Sequence, residues 1–175
     1  LVGSEMCIRD SLRVMVELAE VTSQDHVLEI GPGPGTLTQV LLETGARVTA
    51  IELDDGPVLH LDNVFSEQQN NGKLTLLHGD ALLEQWPESI TQIVANIPYQ
   101  ISSPLIEKIT KFNALNETSL QSVVFMVQQE FAQRLTMAHP SDVGSLGMTV
   151  ALDWNVEAHH VCLLYTSPSP RDVEE

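Results

Sequence analysis

Positive charge is what this chain has least of. Eight lysines and arginines stand against 24 aspartates and glutamates in 175 residues, a net charge of −16 with histidine neutral. Phosphates are attracted by Lys and Arg, so this balance excludes indiscriminate affinity for nucleic acid. An RNA partner would have to be met by a few local cations. Cysteine is also scarce. Cys7 and Cys162 lie near opposite ends at no pairing distance in sequence, which excludes a disulfide scaffold and points to a reducing, cytoplasmic setting. No apolar run reaches the roughly 18 residues that span a bilayer, and no charged-then-apolar leader is present, so no membrane partner is expected. The histidines, His26, His60, His78, His139, His159 and His160, never meet a cysteine or an acid at ligand spacing, and no metal is expected.

What is present suits a single domain with a real core: 175 residues, 43% of them apolar. The two ends differ from the rest. "LVGSEMCIRDS" (1–11) and "CLLYTSPSPRDVEE" (162–175) resemble translated adaptor read-through and are read as non-native ends, leaving 12–161 as the domain. Within it, apolar periodicity predicts helices at 12–21, 36–45, 57–70, 103–112, 128–137 and 145–154. Short apolar runs predict strands at 26–30, 47–53, 73–79, 90–96, 121–127 and 156–161. Alternating strands and helices mean a parallel α/β sheet with helices on both faces. In such a sheet, ligands bind beyond the carboxyl ends of the strands, at the switch in strand order.

The unusual residues fall at those ends. "GPGPG" places Gly31, Gly33 and Gly35 between the first strand and its helix, where a missing Cβ lets a ligand approach the backbone; the plain alternative is a tight turn. The sixth position of a dinucleotide fingerprint is Thr36 rather than glycine, which argues against NAD. Glu52 ends the second strand, where an acid can accept from both hydroxyls of a ribose, although "ELDD" also reads as a solvated acidic stretch. Asp80 follows the third strand and can accept from the amine of an adenine or cap the next turn. Both roles can hold together. Three glycines and two acids with no place for a pyrophosphate suggest the adenosyl cofactor S-adenosyl-L-methionine.

"NIPY" closes the fourth strand. An aromatic amine is a poor nucleophile because its lone pair is delocalised. The side-chain oxygen of Asn96 and the carbonyl of Ile97 could hold its two N–H groups and turn the lone pair toward an electrophilic methyl. Pro98 would fix the backbone, and Tyr99 would stack on the base, a contact of roughly 1–3 kcal/mol. The alternative is a turn with a half-buried tyrosine. Trp86 and Trp154 read as packing residues, and Arg134 as a helix-surface ion pair.

In order, "VLEIGPGPGTLTQVLL", "IELD", "HGDAL", "VANIPYQISSPLIEKI" and "MVQQEFAQRL" resemble the small-subunit ribosomal RNA adenine N6-dimethyltransferases over nearly all of 12–161, with "QISSP" closer to the archaeal and eukaryotic branch. The resemblance implies a Rossmann-like class I methyltransferase sheet. It implies S-adenosyl-L-methionine contacts from Gly31, Glu52, Asp80 and Asn96, and a target-base site from Asn96 to Tyr99. The substrate would be two adjacent adenines near the 3′ end of small-subunit ribosomal RNA, the setting a pre-ribosomal subunit under assembly, and the protein a monomer. The family continues past "VEAHHV" into a Phe-Pro loop, a seventh strand and a basic helical domain. The fold is therefore expected to stop short of the last strand and that domain, and this chain to turn over weakly or not at all. Two further readings stay open: methylation of another adenine or of a protein amide, and a non-catalytic RNA-binding assembly factor.

Overall fold

A computed structural model describes residues 2–97, 99–115 and 120–159, with the side chains of residues 2–9 and 99 outside that set. Five strands form one parallel sheet: β1 His26–Ile30, β2 Arg47–Glu52, β3 Leu74–His78, β4 Gln92–Asn96 and β5 Ser122–Met126. Their order is β3-β2-β1-β4-β5. The chain builds outward from β1 through β2 to β3, then crosses to the other side of β1 for β4 and β5. The switch in strand order therefore lies between β1 and β4. β1 is buried along its whole length, and β2 and β4 nearly so, as parallel strands covered on both faces must be.

Alternate residues of each strand feed two cores. On one face, Val27, Val48 and Val94 meet α1 (Val2–Leu18), α2 (Thr36–Glu43) and α3 (Asp55–Val64). On the other, Leu28, Ile30, Ile51 and Ile93 meet Trp86, Ile90 and α5 (Ser102–Leu115). A third cluster, Ile106, Phe131, Leu135 and Val150, gathers α5, α6 (Gln129–Thr136) and α7 (Ser145–Asp153). The five strands predicted up to residue 127 and the α/β class are observed, and the 145–154 segment is the helix α7.

Three expectations change. The first helix begins at Val2 and ends at Leu18 rather than running 12–21. Glu20 adopts a left-handed φ of 53° and Val21 N–H donates back to the Val16 carbonyl, which stops the helix. The single helix predicted over 57–70 is two, α3 and α4 (Ser66–Asn70), broken at Phe65 with φ −108°. Phe65 is buried in the first core, and that inward turn ends the regular helix. A last strand at 156–161 does not form over 156–159, where Val156 packs on the third cluster instead; residues 160–161 and the tail 162–175 lie outside the described residues.

At the amino edge of the sheet, His26 is buried, with Nδ1 2.9 Å from Ser89 Oγ and Nε2 2.8 Å from Thr49 Oγ1. Burial, helped by the charge of Arg47, pushes its pKa down from 6.5 to about 4. Below about pH 6.5 the unfolded chain takes up a proton that the folded chain refuses until about pH 4, so this group's share of stability is lost as pH falls through that window. Compared by urea midpoints at pH 7 and 4.5, His26→Gln should fare better on acidification than the unaltered chain. An equal change in the two would assign no acid sensitivity to His26.

Candidate functional site

The sequence-predicted residues gather at the carboxyl edge of the sheet. β1 pairs with β4 through Val27–Gln92 and Leu28–Ile93. Continued along both strands, that register sets Gly31 level with Asn96. β2 pairs with β1 through Ile30–Ile51, and with β3 through Glu52–His78. Gly31, Glu52, Asp80 and Asn96 thus leave four adjacent strands on one edge.

The glycine turn is held by β2. Gly31 N–H donates to the Ile51 carbonyl at 2.9 Å, and Gly33 N–H to Glu52 Oε2 at 3.0 Å. Glu52 Oε1 accepts from the amides of Leu53 and Asp54 at 2.9 and 3.0 Å. The buried carboxylate therefore already holds three backbone donors, and of its roughly four acceptor positions few remain. A ribose diol would share Oε2 or displace the Gly33 amide. Gly33 has φ 54° and open space where a Cβ would stand, so its face is free to meet a ligand. Gly35 also has a packing part. A Cβ there would lie 2.6 Å from Phe65 Cε2 and 2.7 Å from Leu61 Cδ2, so this glycine admits α3 to the core.

Asp80 is half-buried and does form the predicted cap: its Oδ1 accepts from Leu82 N–H at 2.8 Å. Asn96, the last residue of β4, is exposed. Ile97 is buried in the second core, and its N–H donates to the Met126 carbonyl at 3.1 Å. That anchor holds the chain just beyond Asn96. Pro98 lies outside the described residues, as does the side chain of Tyr99; the Tyr99 backbone opens a 3-10 turn, Tyr99–Ile101, that leads into α5. Trp86 is a packing residue, its Nε1 bonded to the Ala81 carbonyl and its ring tilted against Phe112. Arg134 is exposed, with no ion pair among the described residues.

Sequence reasoning passed over three residues here. Leu53 is 63% exposed and Leu83 82% exposed, beside Glu52 and near Asp80; such apolar surface suits the faces of a flat ring. Glu29 is the third. It is 1% exposed inside β1, two residues before the glycine turn, and neither carboxylate oxygen has a hydrogen-bond partner. Burial raises its pKa from 4.5 to about 8; the nearby Thr38 hydroxyl and amide oppose the rise, and the charge of Glu52 adds to it. Its signal was an acid inside an otherwise apolar strand. Glu52 and Asp80 make this edge anionic, whereas burial favours the neutral form of Glu29; Arg47 and Lys73 stand at the amino edge. The site therefore fits an adenosyl ligand bearing positive charge, and suits a pyrophosphate poorly. Among the described residues, no three His, Cys, Asp or Glu side chains are grouped to hold a metal.

Several known proteins are similar to this chain. The family described as "Ribosomal RNA adenine dimethylase" matches residues 10–171. A ribosomal RNA small subunit methyltransferase of Arabidopsis thaliana is 44% identical over 128 residues, 73% of this chain and 35% of that protein. A probable ribosomal RNA small subunit methyltransferase A of Methanospirillum hungatei is 40% identical over 140 residues, 78% of this chain and 52% of that protein. The crystal structure of a dimethyladenosine transferase from Plasmodium falciparum superposes with a TM-score of 0.71 at 33% identity, covering 82% of this chain and 50% of that one. The chain thus spans about half the length of these relatives, or less.

Two substitutions test the turn. Gly35→Ala should lower stability by about 2 kcal/mol or more in urea unfolding, from the left-handed φ of 82° and the overlap with Phe65 and Leu61 together; a change under about 0.5 kcal/mol would contradict the packing. For Glu29 the sign is opposite to that of His26. Above pH 4.5 the unfolded chain releases a proton that the folded chain keeps until about pH 8, so stability falls as pH rises through that window. Glu29→Gln should flatten the fall between pH 6.5 and 8, measured by urea midpoint.

Proposed function

Because the chain belongs to the ribosomal RNA adenine dimethylase family, we propose that it forms the catalytic sheet of an S-adenosyl-L-methionine-dependent enzyme that methylates N6 of adenines in small-subunit ribosomal RNA. The observation that carries this reading is Asn96: an exposed carboxamide at the end of β4, level with Gly31 across the switch in strand order.

S-adenosyl-L-methionine, when bound, supplies an electrophilic methyl. The chain's own residues supply the rest. Gly33 leaves room for the ligand, Glu52 offers a carboxylate to the ribose, and Asp80 offers its second oxygen to the adenine amine. Leu53 and Leu83 give apolar contact to the ring. At the acceptor, the Asn96 side-chain oxygen and the Ile97 carbonyl hold the N–H groups of the target amine. Such donors and acceptors, fixed before reaction, stabilise charge as it develops. Burial of Ile97 and its bond to Met126 keep this pair from drifting. Tyr99 would stack on a base that has left its helix. No nucleophilic side chain is needed, because the adenine nitrogen itself attacks.

Small-subunit ribosomal RNA within an assembling subunit is the partner this reading names. With a net charge of −16, general attraction to RNA cannot drive the encounter, so recognition rests on the extruded base and a few cations. The chain is read as a monomer working in the cytoplasm.

Incubation with methyl-labelled S-adenosyl-L-methionine and small-subunit ribosomal RNA, followed by digestion to nucleosides, tests the reading. Turnover should be slow, the label should appear as N6-methylated adenosine, and Asn96→Ala should lower transfer by about 100-fold or more while RNA association is largely kept. Label on a protein amide or another nucleic acid would favour the alternative acceptors. RNA association without transfer, unchanged in Asn96→Ala, would favour an assembly factor.

A further inference from the structure

Lys108 lies on α5, where a lysine ordinarily reads as a solvated charge. Its ammonium is instead turned onto the loop after β3. Nζ donates to the carbonyls of Ala81, Leu82 and Glu84 at 2.9, 3.1 and 2.6 Å. An ammonium has three N–H donors and no acceptor, so all of its capacity is spent on this one loop. The same nitrogen sits 4.6 Å from the centre of the Trp86 ring, a cation–π contact. Trp86 in turn donates to the Ala81 carbonyl at 3.0 Å.

The geometry passes through one peptide plane. The Ala81 carbonyl and the Leu82 N–H belong to the same planar unit and point in opposite directions. Lys108 and Trp86 hold the carbonyl end. The N–H end donates to Asp80 Oδ1 at 2.8 Å. Fixing the carbonyl therefore fixes the direction of the donor that orients the Asp80 carboxylate. The turn is closed from within by the Leu83 and Glu84 amides, which donate to the Asp80 carbonyl at 2.9 and 2.8 Å. α5 itself begins at Ser102, directly after the Asn96–Ile101 segment. One helix thus joins the acceptor side of the site to the loop on its cofactor side.

We propose that Lys108 is a positioning residue, acting through the Ala81–Leu82 peptide to aim the Asp80 carboxylate at the adenine amine of the cofactor. This rests on the cofactor reading above. Burial draws the Lys108 pKa below the usual lysine value, and the charges of Asp80 and Glu84 oppose that shift. A neutral replacement removes both the three donors and this charge balance.

The test uses the chain, Lys108→Met, Asp80→Asn and the double variant, with calorimetric binding of S-adenosyl-L-homocysteine and of its inosine counterpart, which lacks the exocyclic amine. Hydrogen exchange is followed without ligand. Lys108→Met should weaken S-adenosyl-L-homocysteine binding about tenfold, Asp80→Asn by a similar factor, and the double variant by no more than about twofold beyond the worse single. Binding of the inosine compound should hardly respond to Lys108→Met. Exchange should quicken at the Leu82, Leu83 and Glu84 amides while the strand amides keep their protection. Unchanged affinity in Lys108→Met, losses that multiply in the double variant, or protection lost across the whole sheet would each overturn the positioning role. If the unaltered chain fails to bind S-adenosyl-L-homocysteine, the cofactor reading falls and this role with it; if it binds and only the Lys108 expectations fail, the positioning role falls alone.

Discussion

The carboxylate of Glu52 joins the end of β2 to the turn that follows β1, and the geometry of the site depends on that join. Three glycines with left-handed φ make the turn adaptable but entropically expensive to order. Two bonds from β2 offset this: the Ile51 carbonyl takes Gly31 N–H and Glu52 Oε2 takes Gly33 N–H. The turn is thus already shaped when a ligand arrives. The same carboxylate secures its own exit from the strand through Leu53 and Asp54. A ligand hydroxyl reaching Glu52 therefore exchanges with amides that are already bonded, rather than meeting a bare charge.

Charge is distributed along the strand axis. Glu52 and Asp80 sit at the carboxyl edge, and Glu29, buried with unpartnered oxygens, lies just inside it in an environment that favours its neutral form. Arg47 and Lys73 stand at the amino edge, where Lys73 Nζ binds the Gly45 carbonyl. A chain with few cations spends two of them, Lys73 and Lys108, on its own backbone, Lys108 more completely. What remains is an anionic edge suited to a positively charged adenosyl ligand, on a surface that repels phosphate in general.

Much of this was legible in the sequence because strand ends are local. Gly31, Glu52, Asp80 and Asn96 each close an apolar run, and a parallel sheet brings such positions to one edge without further information. Gly35 was legible as a glycine but not as a packing residue, since its neighbours Phe65 and Leu61 lie a strand and a helix away. The break between α3 and α4 has the same cause: Phe65 turns inward to fill the space that Gly35 leaves. Lys108 was hidden for a related reason. Helical periodicity assigns a lysine to a face, whereas three carbonyls from a loop some 25 residues earlier decide where its nitrogen goes. Glu29 was visible as an acid in an apolar strand, but that both its oxygens lack partners depends on neighbours from other elements.

The central place of β1 bears on how the molecule assembles. His26 pairs with Arg47, whereas Val27 on the other side pairs with Gln92. The entropy lost in closing a loop grows with its length, so the nearer pairing is the less demanding one. β1, β2 and β3 can condense with α2 and α3 as an early half, and β4 and β5 then dock against it. The seam between those halves is the line between Gly31 and Asn96, so the edge proposed for catalysis lies along the joint of the sheet whose partners stand farthest apart in the sequence.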